Sequence, residues 1–220
     1  MSEELDMRGE ETVVARRAGV ELSVSELGHA EWERAHAVGL TRYWSGAQAP
    51  PGRHSEARLL WTPEAILARF VCRQTEPYVV SDAPQPERKT LGLWDRDVCE
   101  LFLAPDARRP EHYFEFEAAP TGEWLDLELH ARADGRETNW DYRSGMTTAA
   151  RVGEDSFTLA LRVPWSSLGP AAPRAGDCWR ANLYRCVGSG HARGYLAWRP
   201  TETPRPNFHV PQKFGRLVFE

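Results

Sequence analysis

Short blocks of period-two alternation, cut apart by Pro and Gly, constrain this chain more than any other feature. Sixteen Pro and seventeen Gly spread over 220 residues stop most segments before a helix of ordinary length can form, whereas strands of five to nine residues survive. The alternating blocks are easy to find. Ala57–Trp61 and Ile66–Gln74 read as a hairpin across Thr62-Pro63-Glu64. His112–Ala119 puts Phe114, Phe116 and Ala118 on one face, with Tyr113, Glu115 and Glu117 on the other. Glu123–Ala131 turns Leu125, Leu127 and Leu129 toward the core, leaving Trp124, Asp126, Glu128 and His130 outside. Met146–Val152 with Ser156–Val163, then Cys178–Val187, Arg193–Arg199 and Phe214–Phe219, complete the set, and Thr12–Arg16 reads as an edge strand. Ser25–Arg34 supplies a Ser-capped helical turn with Trp32 inward, and Arg132–Ser144 a long polar loop. Residues 1–10 are expected to be disordered or frayed. Residues 11–220 are predicted to form an all-β, single-domain antiparallel β-sandwich with long loops and at most one or two short helices.

One block carries a chemical anomaly. In Leu93–Leu103 (LWDRDVCELFL), Cys99, Leu101 and Leu103 share one face, and Val98, Glu100 and Phe102 the other. Glu100 is therefore a carboxylate among apolar neighbours, six residues after Trp94. A buried carboxylate needs a partner. Arg69, mid-strand, is one candidate. The hydroxyls of a ligand are another, because a sugar stacks its C–H face on an aromatic ring while its hydroxyls donate to a carboxylate.

Charge and composition exclude several classes. The formal net charge is −5, with 27 Lys+Arg interspersed among 32 Asp+Glu; no basic block tracks a phosphate backbone, so nucleic acid is not an expected partner. No apolar run approaches the ~18 residues of a membrane span. The acidic start MSEELDMRGEE has no apolar signal-peptide core. Four cysteines without CxxC spacing read as reduced, mostly buried thiols. Together these predict a cytoplasmic protein, or a secreted one if a leader was removed.

The order of LWDRDVCELFLAP, HYFEFEAAPTGEWLD, FTLALRVPWSSLG, WRANLYRC, LAWRPT and NFHVPQKFGRLVF, after the earlier ARLLWTPEAILARFVC, resembles carbohydrate-binding module family 9 over about three-quarters of the chain. The resemblance implies a non-catalytic sandwich that clamps the end of a mono-, di- or oligosaccharide between two Trp rings. By position these are Trp94 and Trp198. Glu100 would bind hydroxyls, aided by Asn182 or Arg185 on the neighbouring strand, with Tyr113 and Glu115 beside them. The family's ligand-binding arginine has no clear counterpart beyond Arg108 or Arg109. Trp140, in the long loop, is a candidate ligand lid or interface residue. Modules of this kind usually serve a glycosidase, here one acting in trans.

The resemblance also implies structural calcium at an unassigned site, for which Asp95, Asp97, Asp126, Asp134 and Asp141 offer oxygens without EF-hand spacing. Seven His are scattered without the paired spacing of a zinc site. Two competing functions remain open. A glycoside hydrolase, or an accessory subunit of one, would use Glu100 with Glu115 or Glu117 as its carboxylate pair. A haem-binding sandwich would take axial ligands from Met146 and His209 or His112.

Overall fold

The computed structural model describes residues 12–169 and 171–220; the expectation for residues 1–10 lies outside them. In chain order the elements are β1 (Thr12–Arg17), α1 (Glu31–Arg34), β2 (Ala37–Leu40), β3 (Arg42–Tyr43), β4 (Ser55–Trp61), β5 (Ala65–Arg73), β6 (Val98–Ala104) and β7 (His112–Ala118). Then follow β8 (Trp124–Arg132), β9 (Gly135–Asn139), β10 (Thr147–Val152), β11 (Ser156–Pro164), β12 (Cys178–Val187), β13 (Gly194–Ala197) and β14 (Gly215–Phe219). The all-β reading holds.

Eleven of these strands form one continuous path, β10-β11-β5-β4-β1-β14-β12-β6-β7-β8-β9, with β2, β3 and β13 paired to its sides. The path folds over on itself into a sandwich. Ile66, Ala68, Phe70 and Cys72 of β5 and Phe157, Leu159 and Leu161 of β11 meet Cys99, Leu101 and Leu103 of β6 and Phe114 and Phe116 of β7 in one buried cluster. The free thiols of Cys72 and Cys99 touch across this interior, Sγ to Sγ 3.4 Å. Local chemistry sets the turns. The Thr62 hydroxyl accepts from the amides of Glu64 and Ala65, closing the β4–β5 hairpin around Pro63. Gly122 between β7 and β8 sits at φ 83°, a backbone state that side-chain-bearing residues rarely adopt.

Four expectations need correction. β1 is not an edge strand: it runs parallel to both β4 and β14 and joins the two halves of the sheet. β9 occupies part of the predicted loop 132–144, because the polar Gly135–Asn139 segment pairs with β8 as an outer strand. α1 is a single turn flanked by Ala30 rather than capped by Ser25, although Trp32 is buried as expected. The leucines of β8 are buried, but in a second cluster on the opposite face of the sheet, with Val98, Phe102, Tyr113 and Tyr184. Asp126, with Trp124, is on the face of β8 turned into the sandwich, where Lys89 Nζ approaches Asp126 to 2.7 Å and the Ser144 amide and hydroxyl donate to it.

Candidate functional site

Two cross-strand rows build the centre of the second face. Strand register places Tyr184, Glu100, Glu117 and Leu125 side by side, and next to them Asn182, Phe102, Glu115 and Leu127. Glu100, Glu115 and Glu117 therefore share one patch, with one oxygen of each within 4.8 Å of the others. That is tighter than either carboxylate separation used by glycosidases, about 5–5.5 or 6.5–9.5 Å.

All three carboxylates are out of water, at 2%, 3% and 0% exposure. Glu100 accepts from the Cys186 thiol at 3.4 Å. Both oxygens of Glu117 and one of Glu115 have no donor from any other residue, and the two carboxyls lie within hydrogen-bond reach of each other. Burial first, and then the neighbouring negative charges, hold Glu100 and Glu117 well above the usual carboxylate range; burial raises Glu115 as well. Buried acceptors without donors are rare and costly.

A cavity of about 270 Å³ opens over this patch, with Glu100, Glu115 and Leu127 among its lining and Trp94 at its side. Trp94 gets there through a short turn. Gly92, at φ 77°, starts the 3₁₀ segment Leu93–Asp95, which buries Leu93 and throws Trp94 outward at 37% exposure. Arg193 fixes that segment by donating to the carbonyls of Trp94, Arg96 and Gly188. Asp97 anchors it from below, accepting from Val79 N at 2.9 Å and Gly188 N at 2.8 Å. Tyr195 from β13 and Phe208 and His209 from the Pro-rich segment after β13 complete the aromatic wall, and Arg136 from β9 brings a cation. His209 is half-buried and its pKa is pushed down to about 3, chiefly by the loss of water around the ring and then by Arg136. Its neutral ring hydrogen-bonds the Tyr113 hydroxyl at 3.0 Å.

The site candidates from the sequence therefore divide. Trp94, Glu100 and Glu115 come together in one cavity. Tyr113 lies beneath it, fully buried. Trp198 does not join them: it lines a different cavity of about 280 Å³ with Val38 and Arg42, and packs on the inter-sheet core. The two rings form no clamp. Asn182 is buried, bonded to the Tyr184 hydroxyl at 2.7 Å and to Arg199 O at 2.9 Å.

Arg185 points the other way, into the sandwich, because its register is that of Leu183 and Val187. There it donates to Arg53 O, Ser55 Oγ, Arg73 O and Gln74 Oε1 at 2.7–2.9 Å and lies over the Phe157 ring. Arg69 does not reach Glu100; it donates to Leu27 O and Glu33 and covers Trp32. Arg109 pairs with Asp106 at the surface and Arg108 borders another hollow. Arg136 is the arginine in the cavity, and it was missed because it belongs to the strand read as loop.

Trp140 stands beside Trp94, ring centroids 6.4 Å apart, and is 46% exposed. Met146 is in the inter-sheet core, while His209 is under the second face. His112 lies beside Phe114 at the rim of that core, stacked on His130. Asp97 and Asp126 are occupied by the bonds described above, and Asp95, Asp134 and Asp141 are exposed. None of these five belongs to a metal-sized group among the described residues.

A family model described as carbohydrate-binding family 9 matches residues 43–219. No curated protein matches the chain. Among solved structures, it superposes on a candidate carbohydrate-binding protein from Bacteroides uniformis ATCC 8492 with TM-score 0.76 at 19% identity, covering 96% of this chain and 99% of that one. It also superposes on a carbohydrate binding module family 9 from Caldicellulosiruptor kristjanssonii. In complex with glucose the TM-score is 0.62, with 95% of each chain covered. In complex with cellotriose it is 0.64, with 95% of this chain and 93% of that one covered. Both are 14% identical to this chain, so the superposition speaks for the fold.

Proposed function

The chain belongs to carbohydrate-binding family 9, and from that premise we propose that the cavity under Trp94 holds the end of a saccharide without cleaving it. The observation that carries this reading is the pair of carboxylates Glu100 and Glu115 in the lining of an aromatic-walled opening, one oxygen of Glu115 having no donor. Sugar hydroxyls are the donors such oxygens lack, and they bring no charge that would have to be desolvated. Trp94 is the stacking platform, with Trp140 extending it outward for a further sugar unit. Glu100 and Glu115 accept from ring hydroxyls, while Arg136 and Asn207 donate from the rim. Tyr195 and Phe208 take the place opposite Trp94 that Trp198 does not fill. The glucose and cellotriose complexes of the structural neighbours favour the same ligand class.

Titration with glucose, cellobiose and their methyl glycosides, followed by Trp fluorescence and calorimetry, tests the proposal. A saturable response is expected, weakened roughly 10- to 100-fold in Trp94→Ala and in Glu115→Gln, the effect of losing one stacked ring or one charge-assisted hydrogen bond. A weaker response to the methyl glycosides would show that the reducing end is what enters. Heat-silent titrations with every sugar would overturn the reading.

A further inference from the structure

On the face of β7, β8 and β9 turned away from that cavity, six side chains form a small grid. Register aligns His112, His130 and Glu137 in one row and Phe114, Glu128 and Asn139 in the next. The imidazoles of His112 and His130 stack face to face, centroids 4.2 Å apart and planes within 4°. His112 Nε2 lies 3.0 Å from Glu128 Oε1, and Asn139 Nδ2 donates to the other Glu128 oxygen at 3.0 Å. One ligand atom from each of His112, Glu128 and His130 lies within 4.8 Å of the other two.

We propose that His112, Glu128 and His130 form a binding site for a divalent transition-metal ion, zinc being the fitting one. Two imidazoles and a carboxylate are a borderline nitrogen–oxygen donor set suited to zinc and poorly suited to calcium or magnesium, which take oxygen. Tetrahedral bonds of about 2.1 Å set ligand atoms about 3.4 Å apart. The His112–Glu128 pair is already near that separation, and tilting the stacked rings toward each other brings the third atom in. Asn139 orients the carboxylate from behind, as outer-shell partners of metal ligands commonly do. Access is open: the side chains of His112 and Glu128 are 40% and 28% exposed, so an ion enters without unfolding the sheet. Three protein donors leave the fourth position to water or an outside ligand. Phe114 marks where the inter-sheet core begins and thus where the site ends.

The test uses the full chain, produced without a polyhistidine tag and stripped with chelator. Calorimetry with zinc is expected to give one ion per chain, and cobalt(II) is expected to give the visible d–d bands of a four-coordinate site. His112→Ala and His130→Ala each abolish both signals while leaving near-UV circular dichroism unchanged, and Asn139→Ala weakens zinc roughly 10-fold. Sugar binding at the other face is unaffected by the three substitutions, so failure here and failure of the saccharide reading are separable. No stoichiometric zinc at micromolar protein, or undiminished binding in the His112→Ala/His130→Ala double variant, overturns the proposal.

Discussion

Arg185 has no carboxylate within its first ring of contacts, yet its charge is fully enclosed. Oxygens of Arg53 and Ser55 at the start of β4, of Arg73 at the end of β5, and of Gln74 surround it, and Gln74 in turn donates to Asp97 at 2.5 Å. The positive charge is thus passed one hydrogen bond outward to the acid that anchors the Trp94 segment. Arg185→Met leaves those acceptors unsatisfied inside the sandwich, and we expect it to lower the unfolding free energy by roughly 3–5 kcal/mol in denaturant titrations. Trp94→Ala, at the surface, should stay within about 0.5 kcal/mol.

Glu117 has the opposite problem, a buried acid whose only hydrogen-bonding neighbour is another acid, Glu115. Its pKa is raised in the fold, so between the unfolded carboxylate value near 4.5 and the higher folded value the native state holds the extra proton. Stability from this group is complete below that lower value and is lost as pH rises through the folded one. Glu117→Gln is therefore expected to be more stable than the parent at pH 8, by about 1 kcal/mol or more, and to lose that advantage at pH 4. His209 does not blur the comparison. Its lowered pKa removes stability as pH falls below about 6.5, equally in both proteins.

At the level of strands, alternation told which residues are buried but not against what. β8 is the clear case. Its leucines repeat with period two, yet the sheet has apolar cover on both faces, and only pairing with Tyr113, Glu115 and Glu117 decides that they belong to the second one. The acid set among apolar side chains in β6 was legible as a site for the same reason that it is costly. What the strand pattern could not supply were the groups arriving from outside it: Arg136 on a polar outer strand, Tyr195 on a short one, and His209 in PRPNFHVPQ, whose prolines signal a fixed segment without saying what it covers. The two histidines of the proposed metal site are likewise eighteen positions apart in sequence and meet only through hairpin register.

β1 was misjudged because a six-residue strand shows nothing of its two partners. Being inserted between them, it is sensitive. Val13 is 1% exposed, and Val13→Pro removes a ladder donor from an interior strand. We expect that variant to lose its cooperative thermal transition by circular dichroism, whereas Val152→Pro, at the far end of the outermost strand β10, should retain it.

Seen entire, the molecule divides its labour between layers. The space between the sheet halves holds the bulk of the apolar mass, the paired thiols and Arg185, and it contributes stability. The outer face of the β6–β7–β8 half keeps three acids under a partial roof, and it is the surface proposed above for recognition. Keeping so many unsatisfied oxygens there costs free energy, as functional sites commonly do, and the interior offsets it.

The seat of β1 has one last bearing, on how such a chain is made. Synthesis runs from the amino terminus, and domains fold as units when their parts become available. Here the earliest strand is flanked by β4, which follows soon, and by β14, whose final paired residue is Phe219. Until β14 has been synthesised, that flank of β1 has no strand to pair with, and the sheet path is open between β1 and β12.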